Sequence, residues 1–310
     1  MPSQLDLDDV QEPALTWLCV GFLSSLGFSM APTFSKRSYE SGANTVGVLI
    51  VRFTVAALLM LLIRQLSKGQ RVWPQPRLML QLFLLGAFGY SGAAFFYFTA
   101  IENMSSGVSI VIWYIYPVFV VLIGWALFKT KPKRQTIFSL ISAMIGVAIT
   151  VGQPGNATTK GVILILLSSL SYTFYTLSGS RAFKKTDLYT GVTFVMAGAA
   201  TAFWMYWLLA PSTTPVLFPQ HTEGWLWIGA LALFATVLST ATLFAGLKIL
   251  GPNTTSVVNT VEPVLNIAAG ILFLNEVFSL QQGVGAVFVV GALVYLGVHE
   301  TRSQPPVVLQ

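Results

Sequence analysis

The sequence predicts an all-α integral membrane protein whose ten transmembrane helices form two inverted five-helix repeats. Three observations carry that expectation. Charged residues make up 9% of the 310 and hydrophobic residues 55%, against about 25% charge in soluble domains. Too few charges remain to cover a water-facing surface, so most of it must face lipid. Apolar runs of roughly 20 residues, long enough to cross a bilayer core, recur along the whole chain. Local patterns return at an offset of about 145 residues, as from Leu23 to Leu167 and from Pro117 to Pro263.

Taken in order, the expected spans are 14–35, 43–66, 77–99, 105–128, 135–152, 160–180, 188–210, 224–247, 253–274 and 281–299. The first is the least regular, because FSMAPTFSKR places Pro32 and several hydroxyls in it. The start of the chain, MPSQLDLDDVQEP, is acidic and lacks the basic region of a signal peptide. It is expected to stay as a short cytoplasmic tail. The longest gap, around Pro211 to Glu223, reads as a loop and leaves no room for a soluble domain. The repeat boundary then divides the chain into residues 1–155 and 156–310, each a five-helix unit.

The formal charge of +6 does not indicate a nucleic-acid partner, because Lys and Arg sit in short clusters between apolar runs. On one side of the expected membrane lie Arg64, Lys68, Arg71, Arg77, Lys129, Lys131, Lys133, Arg134, Arg181, Lys184, Lys185, Lys248 and Arg302. The other side holds Lys36, Arg37 and Lys160, and Arg52 lies within a span. Cytoplasmic loops are enriched in these residues, so both termini are expected in the cytoplasm of a cell membrane, plasma or inner. Lys36 and Arg37 run against this rule locally, at the outer end of the first helix. The single cysteine, Cys19, excludes an intramolecular disulfide, and His221 and His299 fall in a loop and near a terminus. No metal site and no cofactor are expected. No glycine-rich phosphate-binding loop is present, so ATP is not expected to drive the protein directly.

The repeat carries the functional reading. LSSLGFSM at Leu23–Met30 matches LSSLSYTF at Leu167–Phe174, and IYPVFVVLIGWALF at Ile115–Phe128 matches VEPVLNIAAGILFL at Val261–Leu274. An odd number of spans per repeat makes the two copies cross the membrane in opposite senses. Such inverted repeats recur in secondary transporters, with the substrate site near the midplane where the copies meet. The other class considered is a membrane receptor or scaffold that binds a small ligand without moving it. The inverted repeat argues against that class, since alternating access needs two interconvertible halves.

Several motifs resemble those of the drug/metabolite transporter superfamily, in its EamA-type branch. They are VRF at Val51–Phe53, FFYFTAIENMSSGVSIV at Phe95–Val111, FAGLKILGPNTTSVV at Phe244–Val258 and VEPVLNIAAGILFLNE at Val261–Glu276. The resemblance spans essentially the whole chain. It implies secondary transport, often export, of small metabolites such as amino acids. In one respect the halves depart from each other: the first copy ends in Lys129-Thr130 and carries Tyr116 where the second has Asn275-Glu276 and Glu262.

Candidate site residues follow from depth and helical spacing. Glu262 lies nine residues beyond Asn253, about 14 Å along a helix, close to the middle of a ~30 Å core. A carboxylate there is a functional candidate by default and a candidate carrier of coupling protons. Pro263 leaves the carbonyl of Asn259 without its helical donor. Asn259, Glu262 and Asn266 share one helix face, which suits the wall of a wet pathway better than lipid. Arg52, about 12 Å from the outer face, is read either as the partner of Glu262 or as the binder of a substrate carboxylate. The repeat sets Trp113 and Tyr116 opposite Asn259 and Glu262. That arrangement suits an amphipathic solute whose amine lies near the acid and whose apolar part meets the rings. Tyr97, Tyr172 and Tyr175 are further candidates for the pathway, and Pro117 and Pro263 are candidate hinges. The expected partners are a small-molecule substrate, the lipid bilayer and protons, with the protein a monomer or homodimer.

Overall fold

The computed structural model describes residues 22–67, 73–128, 134–151, 157–183, 185–209, 215–243, 259 and 261–302. Cys19 and the start of the first expected span, the basic cluster 129–133, Asn156 and the run 244–258 with Lys248, Asn253 and Ser256 lie outside the described residues. Among the described residues there are helices and no strands. They are α1 (22–29), α2 (Ala31–Glu40), α3 (Thr45–Leu66), α4 (Pro76–Leu84), α5 (Ser91–Ile101), α6 (Ser106–Trp113) and α7 (Tyr116–Phe128). There follow α8 (Arg134–Val151), α9 (Thr159–Phe183), α10 (Leu188–Leu209), α11 (Thr222–Ala232), α12 (Glu262–Leu274) and α13 (Leu280–Arg302).

Six helical runs are long and apolar enough to cross a membrane: Thr45–Leu66, Pro76–Ile101, Ser106–Ala126, Thr159–Gly179, Leu188–Leu209 and Thr222–Leu243. Three shorter apolar helices, Arg134–Thr150, Glu262–Leu274 and Leu280–Tyr295, fall within further expected spans. The molecule is inside out relative to a soluble protein in its outer faces. Leu58, Phe88, Phe138, Leu226 and Leu272 stay more than half exposed, a surface that lipid, not water, would cover. The core is apolar too, built on fully buried Leu49, Phe53, Met60, Ile112, Ile165, Ile228 and Leu231.

Local chemistry explains where the helices start and bend. Asn44 caps α3 by accepting from the Gly47 N–H at 3.0 Å, and Ser105 caps α6 by accepting from Val108 N–H at 3.3 Å. Pro32 and Pro263 stand in the first turns of α2 and α12, where a missing N–H costs little. Two runs widen into π-helix, Leu85–Tyr90 between α4 and α5 and Leu233–Leu238 after α11. Asn275 ends α12 in a left-handed conformation (φ 52°), which Asn tolerates better than most residues. The reversal brings the Glu276 N–H to the Gly270 carbonyl at 3.1 Å and turns the Glu276 side chain back over α12.

Alternate connections gather at one end. Gln220 N–H donates to Ser41 O at 2.8 Å, Asn44 N–H to Leu217 O at 3.1 Å and Thr45 N–H to the Glu102 carboxylate at 2.9 Å. At the same end Lys36 Nζ donates to Met104 O at 3.0 Å and to Glu276 Oε1 at 2.7 Å. At the opposite end Arg64 Nε donates to Thr190 Oγ1 at 2.5 Å and its guanidinium lies 3.6 Å over the Trp73 ring. An antiparallel up-and-down bundle requires this alternation.

Contacts also recur in pairs. α3 packs along α10 and α8 along α13. Small residues permit close approach, as where Gly146 and Gly285 bring the backbones of α8 and α13 together. Ser24 Oγ donates to Ser239 O at 3.0 Å, and Ser168 Oγ, one repeat later, donates to Ala93 O at 2.7 Å. Each acceptor lies just past one of the two π-helical segments.

Candidate functional site

The site grows from two broken helices. Pro117 has no N–H for the carbonyl of Trp113, and the chain leaves α6 through a turn at Tyr114 and Ile115 before α7 begins. The Ser169 hydroxyl can take the place of the lost donor, its one proton shared between Trp113 O and Ile165 O, both at 3.0 Å. Pro263 has the same effect on Asn259, whose carbonyl accepts from the Tyr114 hydroxyl at 3.3 Å. The Asn259 side chain is held as well, 3.0 Å from Ser25 Oγ. In both halves a serine of the LSS motif thus meets the residue four before the proline.

Tyr114 Oη also lies 3.1 Å from Glu262 Oε2. One hydroxyl proton cannot fully serve two acceptors. With Glu262 ionised, Tyr114 donates to the carboxylate. With Glu262 protonated, the acid can donate to the Tyr114 oxygen, which frees the phenol proton for the Asn259 carbonyl. The protonation state of the acid is thereby tied to the backbone break at the start of α12.

Aromatic rings surround this pair. Trp113 stands 4.8 Å from Tyr116, 5.0 Å from Tyr172 and 5.5 Å from Tyr114, centroid to centroid. Tyr116 and Tyr172 are 5.1 Å apart, and the row continues through Tyr175 at 5.8 Å to Tyr90 at 5.3 Å. Trp113 is positioned by its indole N–H on Ser168 Oγ at 3.2 Å. Trp113, Tyr116, Tyr172, Tyr175, Asn259 and Glu262 all keep part of their surface free while lying inside the bundle, as side chains around an internal space do. A carboxylate among ring faces can bind an organic ammonium group, by ion pairing and cation–π attraction together.

The structure therefore brings Glu262, Asn259, Trp113, Tyr116, Tyr172 and Tyr175 together. Tyr97 is buried against Trp113 at 6.3 Å. Asn266 turns into the contact with α1, its Nδ2 donating to Ser29 O at 2.9 Å. Arg52 does not pair with Glu262: among the described residues the ion pairs are Lys36–Glu276 and Arg37–Glu40. It donates instead to Thr236 Oγ1 at 2.9 Å and packs on Phe98. The rise along a helix fixes depth but not the side of the bundle, which is why the depth argument brought the two residues near. Tyr114 was missed because a continuous helix would point it away from the face shared by Trp113 and Tyr116. Pro117 was the signal, since the turn it imposes swings Tyr114 inward.

At the end where Lys36 lies, Glu276 closes a clasp between the halves. Its carboxylate accepts from the N–H of Ser106 at 2.9 Å and of Gly107 at 3.3 Å, and from the Ser106 hydroxyl at 2.9 Å. These are free donors at the start of α6, where negative charge is favoured. Burial alone would push the Glu276 carboxyl up, but the Lys36 ammonium and the bonds from Lys36 and Ser106 hold it below the usual carboxylate range. A separate groove, lined by Gln81, Phe88, Phe174, Ser178 and Lys185, contains none of the candidate residues.

Comparison with known proteins places this arrangement. The model of the EamA-like transporter family matches the chain twice, over residues 15–152 and 159–298. The chain belongs to the EamA-like transporter family. Membership makes it a multi-pass membrane protein of a transporter family, and relatives carry the same description. It is 26% identical to the uncharacterized transporter YcbK of Bacillus subtilis, over 86% of this chain and 89% of the relative. It is 23% identical to the uncharacterized transporter YyaM of the same organism, over 91% and 97%. Protein PecM of Dickeya dadantii is 22% identical over 79% of this chain and 80% of its own. A crystal structure superposes with a TM-score of 0.66 at 17% identity, covering 94% of this chain and 99% of that one. At that identity the likeness speaks for the fold alone.

Proposed function

We propose that this EamA-like protein is a secondary-active exporter of small amphipathic metabolites, amino acids or related amines, working by alternating access. The observation that carries the proposal is Glu262, held by Tyr114 at a proline break and facing the Trp113, Tyr116 and Tyr172 rings. In this reading the solute's amine meets the carboxylate and its apolar part meets the rings. Protons compete for the same carboxylate, so solute leaves as protons enter.

The matched serine contacts, the matched proline breaks and the two π-helical segments support ten spans in two inverted halves. Pro117 and Pro263 are the hinges about which each half changes shape. The basic loops favour both termini in the cytoplasm of a plasma or inner membrane, and the protein acts as a monomer or homodimer. The test is flux in proteoliposomes, with a panel of amino acids and small amines measured with and without a pH gradient. At least one solute should move uphill, driven by the gradient. Binding of solutes with no movement of any would overturn the proposal in favour of a receptor.

A further inference from the structure

Arg52 sits in α3, within the membrane and 4% exposed. A guanidinium is charged at any accessible pH. Buried charges ordinarily have a counter-ion, and among the described residues Arg52 has none. Its Nε donates to Thr236 at 2.9 Å, yet Nη1 is fully buried with no acceptor. The face of the group is occupied by Phe98 at 4.9 Å and Phe53 at 5.2 Å, leaving the edge with the unused donor.

The surroundings converge on this residue from both halves. Thr236 belongs to the second π-helical segment and Tyr90 to the first, and Tyr90 packs edge-on against Phe53 at 5.6 Å. π-Helical turns in α-helices are frequent at functional sites. Phe98 in turn meets the ring of Tyr97 at 5.4 Å, and Tyr97 meets Trp113 at 6.3 Å. The aromatic lining thus runs from Arg52 through Phe98, Tyr97 and Trp113 to the neighbourhood of Glu262.

We propose that the free edge of the Arg52 guanidinium is a subsite for an organic carboxylate, at the other end of the aromatic row from Glu262. A carboxylate offers the paired acceptors that a guanidinium edge fits, and it supplies the missing negative charge. The solute class is then bipolar: an acid group for Arg52, an apolar or aromatic body for the rings and an amine for Glu262. The rings of Phe98, Tyr97 and Trp113 lie between the two ends in successive contact, so a solute that reaches both carries its acid and amine on a chain or ring system. This deepens the transport reading, on which the word solute rests. The binding step itself is measurable without transport.

The experiment is equilibrium titration of the purified full-length protein in detergent at pH 7, read by tryptophan fluorescence. The probes are 3-phenylpropionate, indole-3-propionate and hexanoate, each against its primary amide. At least one acid should bind tighter than its amide by about tenfold or more, as a charge-assisted bond predicts. Arg52→Gln should remove that preference while leaving amide binding in place. Arg52→Lys, which keeps the charge without the fork, should retain only part of it and serves if the glutamine variant does not fold. Equal binding of acids and amides, no binding of any probe, or a preference that survives Arg52→Gln overturns the subsite. Displacement of the acids by sodium chloride at equal concentration would also overturn it, by showing a site for inorganic anions. Flux without acid preference would sink this subsite and spare the transport reading; acid preference without flux would do the reverse.

Discussion

Tyr114 holds one proton between two acceptors, Glu262 Oε2 at 3.1 Å and Asn259 O at 3.3 Å. Trp113 and Tyr116 offer ring faces to the same space. The two kinds of residue should therefore fail differently. Trp113→Ala and Tyr116→Ala each remove a cation–π contact of about 0.5–2 kcal/mol, so apparent KM should rise between about twofold and thirtyfold with the maximum rate kept. Tyr114→Phe keeps the ring and loses the hydroxyl, so the maximum rate should fall with KM little changed. Initial-rate kinetics in proteoliposomes separate the cases, and identical effects of all three would refute the division of labour. Much of this cluster was legible in the sequence. A carboxylate and a proline inside an apolar run are costly enough to declare themselves, and the repeat offset pointed from Asn259 and Glu262 to Trp113 and Tyr116. The inward turn of Tyr114 and the separation of Arg52 from Glu262 were not legible, because both depend on how helices rotate against one another.

The breaks within elements matter as much as the elements. Runs that read as single spans are interrupted at Met30, at Tyr114–Ile115 and, by π-helix, at Leu85–Tyr90 and Leu233–Leu238. Prolines announce the first two, whereas nothing in LGAFGY or LFATVL marks a π-helix. Lys36 and Arg37, which run against the charge rule, find carboxylates in Glu276 and Glu40. The Glu276 clasp gives a signed pH test. Its native pKa is depressed, so its contribution to stability is present above the unfolded value of about 4.3 and is lost as pH falls through the lower native value. Glu276→Gln should lower the unfolding temperature by a few degrees at pH 7. The gap between variant and wild type should close as the pH drops below about 4. A gap that persists into acid would mean that the charge contributes nothing.

At the scale of the whole molecule, the repeat, the apolar runs and the basic clusters foretold a helical membrane bundle. The alternation of connections between two ends agrees with them. Which end faces the cytoplasm rests on the Lys and Arg distribution alone. In a Cys19→Ala background, single cysteines at Asn103 or Gln220 should react with an impermeant maleimide added to whole cells. Cysteines at Gln75 or Thr186 should react only after the cells are opened, and the opposite pattern would invert the topology.

The central claim is that Glu262 couples solute to protons, and the proton itself is the quantity to measure. Proteoliposomes loaded with a transported solute and a trapped pH dye should acidify inside as solute leaves through the wild-type protein. Glu262→Gln, recovered in folded form, should bind solute weakly and move no protons. Solute-driven acidification that persists at the wild-type rate in Glu262→Gln would contradict the claim.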